Sequence, residues 1–229
     1  MTTFGGLSVQ AVVSDMFAEN AYVVHLPARR DCLVVDPGLN PERIVELLDG
    51  QGLAVAAILI THGHADHIAG NAALKERFPQ APLVIGRVDA PKLVDPELNL
   101  SAPFGFFVTS PPADRLVDEG ETLDFAGILL HVYDTPGHSA GHVVFVHRGG
   151  SPWVVFGGDV LFHGSVGRTD IPEGSFQQLR ASIEQKLFVL PEETMVLPGH
   201  GQPTTIGRER KVNPFVGEQA GRRPLAGNL

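Results

Sequence analysis

Apolar and polar positions along the chain follow two different periods. Leu7–Val13, Ala21–Leu26 and Cys32–Val35 read as short strands. Pro41–Gly50 opens on proline, carries Ile44, Val45, Leu47 and Leu48 at helical spacing, and stops at Gly50 or Gly52. Ala54–Ile60 is an unbroken apolar run too short for most helices, which predicts a buried strand. A helix over Ile68–Phe78 and a strand at Leu83–Ile85 follow. The second half repeats the alternation, with strands at Ile128–Tyr133, His142–His147, Trp153–Phe156 and Thr194–Leu197. Its helix, Phe176–Phe188, places Leu179, Ile183, Leu187 and Phe188 on one face. Strands and helices interleave without a linker, which predicts one α/β domain over residues 1–216. The polar, glycine-rich residues 217–229 are expected to fray.

Composition narrows the function classes. The 229 residues are 43% hydrophobic and 19% charged, as in a globular chain. A net charge of −9 spread along the chain leaves no basic face for nucleic acid. No apolar run approaches the ~18 residues that span a bilayer. Met1–Asp15 lacks the charged start of a signal peptide. The single cysteine, Cys32, excludes an intrachain disulfide and sits in a strand-like run as a core thiol, which fits a reducing, cytoplasmic setting.

Ten histidines are the anomaly. The string Thr61-His62-Gly63-His64-Ala65-Asp66-His67 follows a buried strand and precedes a helix, so four potential ligands crowd one loop. His62 and His64, two apart, face the same way in an extended segment. Asp66 and His67 come at the turn into the helix. Three further positions lie just beyond strands, each beside glycine or proline: His138, Asp159 and His200. Together they supply His62, His64 and His138 for one ion, Asp66, His67 and His200 for another, and Asp159 as a bridge. Imidazole with carboxylate and no thiolate suits zinc, iron or manganese and argues against a closed structural zinc site.

This order of motifs resembles the metallo-β-lactamase-fold hydrolases. The resemblance runs from about Asp36 to Phe215 and implies a four-layer αβ/βα sandwich with a dinuclear site at the sheet edges. Gly158-Asp159-Val160-Leu161-Phe162, Gly167-Arg168-Thr169-Asp170, Pro198-Gly199-His200-Gly201 and Asn213-Pro214-Phe215 look most like glyoxalase II and its shorter bacterial relatives, hydroxyacylglutathione hydrolases that lack the carboxyl-terminal helical domain. Arg168 stands where that family often has a basic glutathione contact. The tyrosines usual shortly after that contact and just after the last ligand histidine are missing, and Gln202 follows His200.

Arg208, Arg210 and Lys211 are candidates for a glutathione carboxylate, with a solvated basic turn as the alternative. His163, near Arg168, is a candidate substrate contact. Asp36 and Asp134 are candidate partners for ligand histidines, or turn aspartates. His25, His131 and His147 alternate with apolar residues and read as satisfied or solvent-facing, and His142, four residues after His138, as a strand start or a residue lining the pocket. Phe104, Phe106 and Phe107 form either a lid over an apolar substrate or a satellite core or dimer contact.

The expected reaction is thioester hydrolysis. Two metal ions sharing a water lower its pKa and supply the hydroxide, Asp66 and Asp159 serve the reacting centre, and a thiol of pKa ~8.5 leaves without a strong general acid. The expected substrate is a small thioester, glutathione-derived or similar; a homo-oligomer is left open. The alternatives are a one-iron persulfide dioxygenase and a metal-binding scaffold without activity.

Overall fold

Valine, isoleucine and leucine dominate the strand-forming runs, and the pleat sends successive residues to opposite faces. The structure, a computed structural model, describes residues 2–220. One seven-stranded sheet follows chain order: β1 (Thr2–Phe4), β2 (Leu7–Val13), β3 (Asn20–His25), β4 (Asp31–Val35), β5 (Ala54–Ile60), β6 (Leu83–Gly86) and β7 (Arg115–Val117). β1 to β4 pair antiparallel and β4 to β7 parallel. The second sheet holds β8 (Thr122–Phe125), β9 (Ile128–Asp134), β10 (Val143–His147), β11 (Val154–Gly158), β14 (Met195–Pro198) and β15 (Thr204–Thr205), with β11 and β14 its parallel pair. A small hairpin, β12 (Leu161–Phe162) and β13 (Ser165–Val166), lies between them in sequence.

Alternation along the strands builds the layers. Leu33 of β4 meets Phe145 and Phe156 between the sheets. Its neighbour Val34 faces outward, under Ile44 and Leu48 of α1 (Pro41–Gln51) and Leu74 of α3 (Asn71–Arg77). The outer face of the second sheet, Val144, Val146 and Val155, is covered by Leu179 of α4 (Phe176–Ser182), by Ile183 and Leu187, and by Ile206 of α5 (Ile206–Val212). The result is the four-layer αβ/βα sandwich.

Several elements differ from the sequence expectation. The helix expected over Ile68–Phe78 is split into α2 (Ala65–Ile68) and α3. At the break, the Gly70 amide donates to the Pro37 carbonyl at 2.6 Å, an approach that a Cβ would block. Arg208–Lys211 is not a turn but part of α5, capped by the Thr205 hydroxyl, which accepts from the Arg208 amide. The helix expected over Phe176–Phe188 widens into a π-helical turn over Ile183–Leu187. Of the expected frayed tail, residues 217–220 turn back onto α5, with the Gly217 amide donating to the Asn213 carbonyl at 2.9 Å; residues 221–229 lie outside the described residues. No helix among the described residues is long and apolar enough to cross a membrane.

Candidate metal centre and substrate pocket

The loops after β5, β9, β11 and β14 leave the carboxyl ends of their strands, where open α/β sheets form their sites. They bring together all seven side chains singled out in the sequence. His62, His64 and His138 form one group, His62, His67 and Asp159 a second, and Asp66, His67 and His200 a third, each with donor atoms within 4.8 Å of one another. Asp159 stands between them: Oδ1 is 3.5 Å from His67 Nε2, and Oδ2 is 3.5 Å from the Nε2 atoms of both His138 and His200. Asp66 Oδ2 lies 3.3 Å from His200 Nε2.

Acceptors behind the rings set which nitrogen faces inward. Asp36 Oδ2 accepts from His67 Nδ1 at 3.1 Å and from the Thr61 hydroxyl at 2.7 Å, and that hydroxyl accepts in turn from His62 Nδ1 at 3.1 Å. The Arg168 carbonyl accepts from His138 Nδ1 at 2.8 Å, and the Phe17 carbonyl from His200 Nδ1 at 3.1 Å. Four rings therefore present Nε2 to the centre. His64 alone turns Nδ1 inward, 2.9 Å from His138 Nε2. Such outer partners fix tautomer and orientation in metal sites. Asp36 holds a left-handed backbone (φ +48°), strain of the kind that clusters at functional sites.

The electrostatics fit a divalent cation. Burial and the surrounding imidazoles hold His62 well below the usual histidine range. Burial, then His138 and Lys92, pushes His64 down to about 3. Burial alone would lower His67 as well, but Asp66, Asp159 and Asp36 raise it well above the usual value. Asp159 and Asp66, which burial would raise, are held low by His67 and His200. His62 and His64, neutral beside ionised Asp66 and Asp159, hold the protonation states that a metal requires, and a bound cation would replace the proton that the carboxylates favour on His67 and His200. His62 Nε2, His67 Nε2 and Asp159 Oδ1 are buried with no hydrogen-bond partner, an arrangement costly without a cation to receive them.

The model of the Metallo-beta-lactamase superfamily matches residues 15–200. The chain belongs to this superfamily. The hydroxyacylglutathione hydrolase GloC of Haemophilus influenzae is 31% identical over 221 residues, covering 93% of this chain and 100% of its own. Among solved structures, the BLEG-1 B3 metallo-beta-lactamase is 36% identical with a TM-score of 0.87, over 91% of this chain and 99% of that one. TTHA1623, solved in a di-iron-bound form, is 39% identical with a TM-score of 0.79, over 90% and 100%.

The metallo-beta-lactamase centre opens into a cavity of about 440 Å³. Its walls are largely apolar: Met16 and Phe17 from one loop, Leu100, Phe104 and Phe106 from another, and Phe162 and Ile171. Phe17 and Phe104 meet edge to face at 6.4 Å. Phe104 and Phe106 line the cavity, whereas Phe107 does not and is 78% exposed.

The substrate contacts expected from sequence are only partly there. Arg168 lines the cavity, yet its guanidinium already holds Asp170 through two bonds, at 2.8 and 3.0 Å. Arg208, Arg210 and Lys211 lie on α5 outside the cavity wall, paired with Glu209 and Glu192. His163 faces a neighbouring cleft with Gly201 and Gln202. Asp134 is exposed, its amide donating to Glu119, and contacts no ligand histidine; Asp36 alone takes that role.

Three supports lie behind the donors, two of which, Asp89 and Asn20, have no sequence signal. The Asp159 amide donates to His142 Nε2 at 3.0 Å, and the His142 ring stacks on His62 at 4.8 Å. His142 is therefore part of the centre's floor rather than a plain strand start; its spacing of four from His138 was the available signal. Asp89 accepts from the amides of Gly63 and Gly141, both at 2.8 Å, and so ties the His62–His64 loop to the loop after His138. At the far end of the centre, Asn20 donates its amide to the Gly199 carbonyl at 2.7 Å and its side chain to the Pro198 carbonyl at 2.9 Å, latching β14 to the start of β3.

Proposed function

We propose that this chain is a metal-dependent thioester hydrolase of glyoxalase II type, which cleaves S-(2-hydroxyacyl)glutathione or a similar thioester. The observation that carries the reading is the pair of donor groups, His62, His64 and His138 against Asp66, His67 and His200, joined by Asp159 and open to one cavity. The second group is assembled as fully as the first, which favours two ions over a one-iron dioxygenase. The similarity to GloC along its whole length supports the choice of thioester.

When bound, two divalent ions, zinc foremost with iron or manganese as alternatives, supply a Lewis acid and a water of lowered pKa. The chain's residues do the rest. Asp159 and Asp66 are the carboxylates on the cavity side of the centre, where an attacking water is oriented and its proton received. Phe17, Phe104 and Phe162 form the apolar approach to the carbonyl. The water oxygen bonds to the acyl carbon, the carbon–sulfur bond breaks with its electron pair on sulfur, and the products are a carboxylate and a thiol. A thiolate of ordinary pKa ~8.5 leaves without a dedicated acid, and among the described residues none lines the cavity besides the donor groups. A buried, reduced Cys32 suits a cytoplasmic location.

Thiol release from S-lactoylglutathione by protein reconstituted in turn with zinc, iron and manganese tests the reading. Release with at least one metal, abolished by His64→Ala, is the expected result. No release with any of them overturns the glutathione-thioester form of it.

A further inference from the structure

The cavity's polar groups outside the donor cluster are already engaged within the chain. Asn99 donates to the Lys92 and Val108 carbonyls and accepts from the amide and hydroxyl of Ser101. Arg168 is closed by Asp170. Among the described residues no other lysine or arginine lines the wall. Glutathione carries two carboxylates and an ammonium, and seating them here would strip their water without returning a partner, a cost that burial of charge makes steep. Apart from the Ser165 hydroxyl, which donates to the Val166 carbonyl at 3.4 Å, the side chains left free to receive a ligand are apolar, and Phe104 keeps 63% of its surface exposed toward solvent.

Resting on the thioester reading, we infer that the site selects its substrate by an apolar acyl group laid along Phe17, Phe104, Phe106 and Leu100, and leaves the charged groups of the thiol unread. Medium-chain or aromatic acyl thioesters are then the preferred class. Lactoyl, whose hydroxyl finds only Ser165 on a largely apolar wall, is a poor one. Transfer of one methylene from water to such a wall is worth about fourfold in affinity, so a few methylenes in partial contact amount to tenfold or more.

The test varies the two ends of the substrate separately, on the zinc-loaded full chain. S-hexanoylglutathione is expected to exceed S-lactoylglutathione in kcat/KM by at least tenfold. Replacing the glutathione of the hexanoyl thioester by N-acetylcysteamine is expected to change kcat/KM by less than threefold. Phe104→Ser, at an exposed position, is expected to cut the hexanoyl-to-lactoyl ratio at least threefold. Equal or better turnover of the lactoyl thioester, or a loss beyond tenfold on removing glutathione, overturns the inference. Calorimetric binding of the two acid products is measured alongside, with hexanoate expected to bind at least tenfold tighter than lactate. If neither thioester is hydrolysed, the thioester reading falls, and the product affinities alone decide the apolar preference: equal affinities sink it.

Discussion

Asp36 and His67 meet at 3.1 Å, Oδ2 to Nδ1, with both side chains sealed from solvent. The same oxygen also takes the Thr61 hydroxyl, through which His62 is held, so one carboxylate orients a histidine in each donor group. Asp36→Asn keeps the size but loses an acceptor for one of these bonds. Loss of such an outer partner costs 10–100-fold in metal affinity. A chelator competition is expected to show a fall in that range, with a smaller fall for Thr61→Val, which disturbs His62 alone. Unchanged affinity in Asp36→Asn would refute the orienting role.

His142 supports Asp159 from behind. His142→Phe preserves the stacking on His62 but strands the Asp159 amide, and an unpartnered buried donor costs about 1–3 kcal/mol. Urea unfolding of metal-free protein is expected to show that loss, and the metal-loaded variant a reduced kcat from the displaced carboxylate.

Metal removal is expected to destabilise the whole domain. An ion present at a thousandfold over its Kd contributes about 4 kcal/mol, and in a chain of this size each kcal/mol moves Tm by about 2–4 °C. Calorimetry with and without a chelator is expected to show a drop of about 8–16 °C. Asp159→Asn narrows that difference because the shared ligand is weakened.

Glu209 offers a pH test away from the metal. It is buried; burial would raise its pKa, but hydrogen bonds from Thr204, Gly164, Asn213 and Arg208 hold it below the ordinary glutamate value. A depressed folded-state pKa contributes stability that is present above the unfolded value near 4.3 and lost as pH falls through the folded one. Glu209→Gln is therefore expected to be less stable than the parent at pH 7, with the gap closing below about pH 4. A gap that stays constant from pH 7 to pH 3 would show that packing, not charge, sets it.

Cys32 is fully buried, and burial pushes its thiol up to about 12. Ellman's reagent at pH 8 is expected to leave it unmodified in folded protein and to titrate one thiol in guanidinium.

The fold's long elements were legible because Leu7–Val13 and Ala54–Ile60 carry the β-branched, apolar character of their layers in their own residues. The break at Gly70 was not, because it depends on the Pro37 carbonyl, which arrives from a distant turn. α5 was missed since Ile206 is the one large apolar side chain on its buried face, where the charged Glu209 lies beside it, and its charges read as a loop. Hairpins of two residues, such as β12 and β13, leave no period to detect. At the centre, the seven donors are conspicuous as residue types in order, whereas two of the groups that aim them, the carbonyls of Phe17 and Arg168, belong to the backbone and have no residue signature. The cavity wall is equally silent, since Met16 and Phe17 meet the 100–106 loop only through tertiary folding.

The latch between Asn20 and the Pro198–Gly199 turn has a consequence for a chain still being made. Residues near the start wait for partners 178 positions later, and Phe17 waits 183 for His200. A nascent chain that has emerged as far as His138 exposes an incomplete imidazole cluster with its bridging aspartate and last histidine still unmade. All seven donors stand together only once β14 docks beside β11 and the latch closes, so a complete centre marks the end of both synthesis and folding.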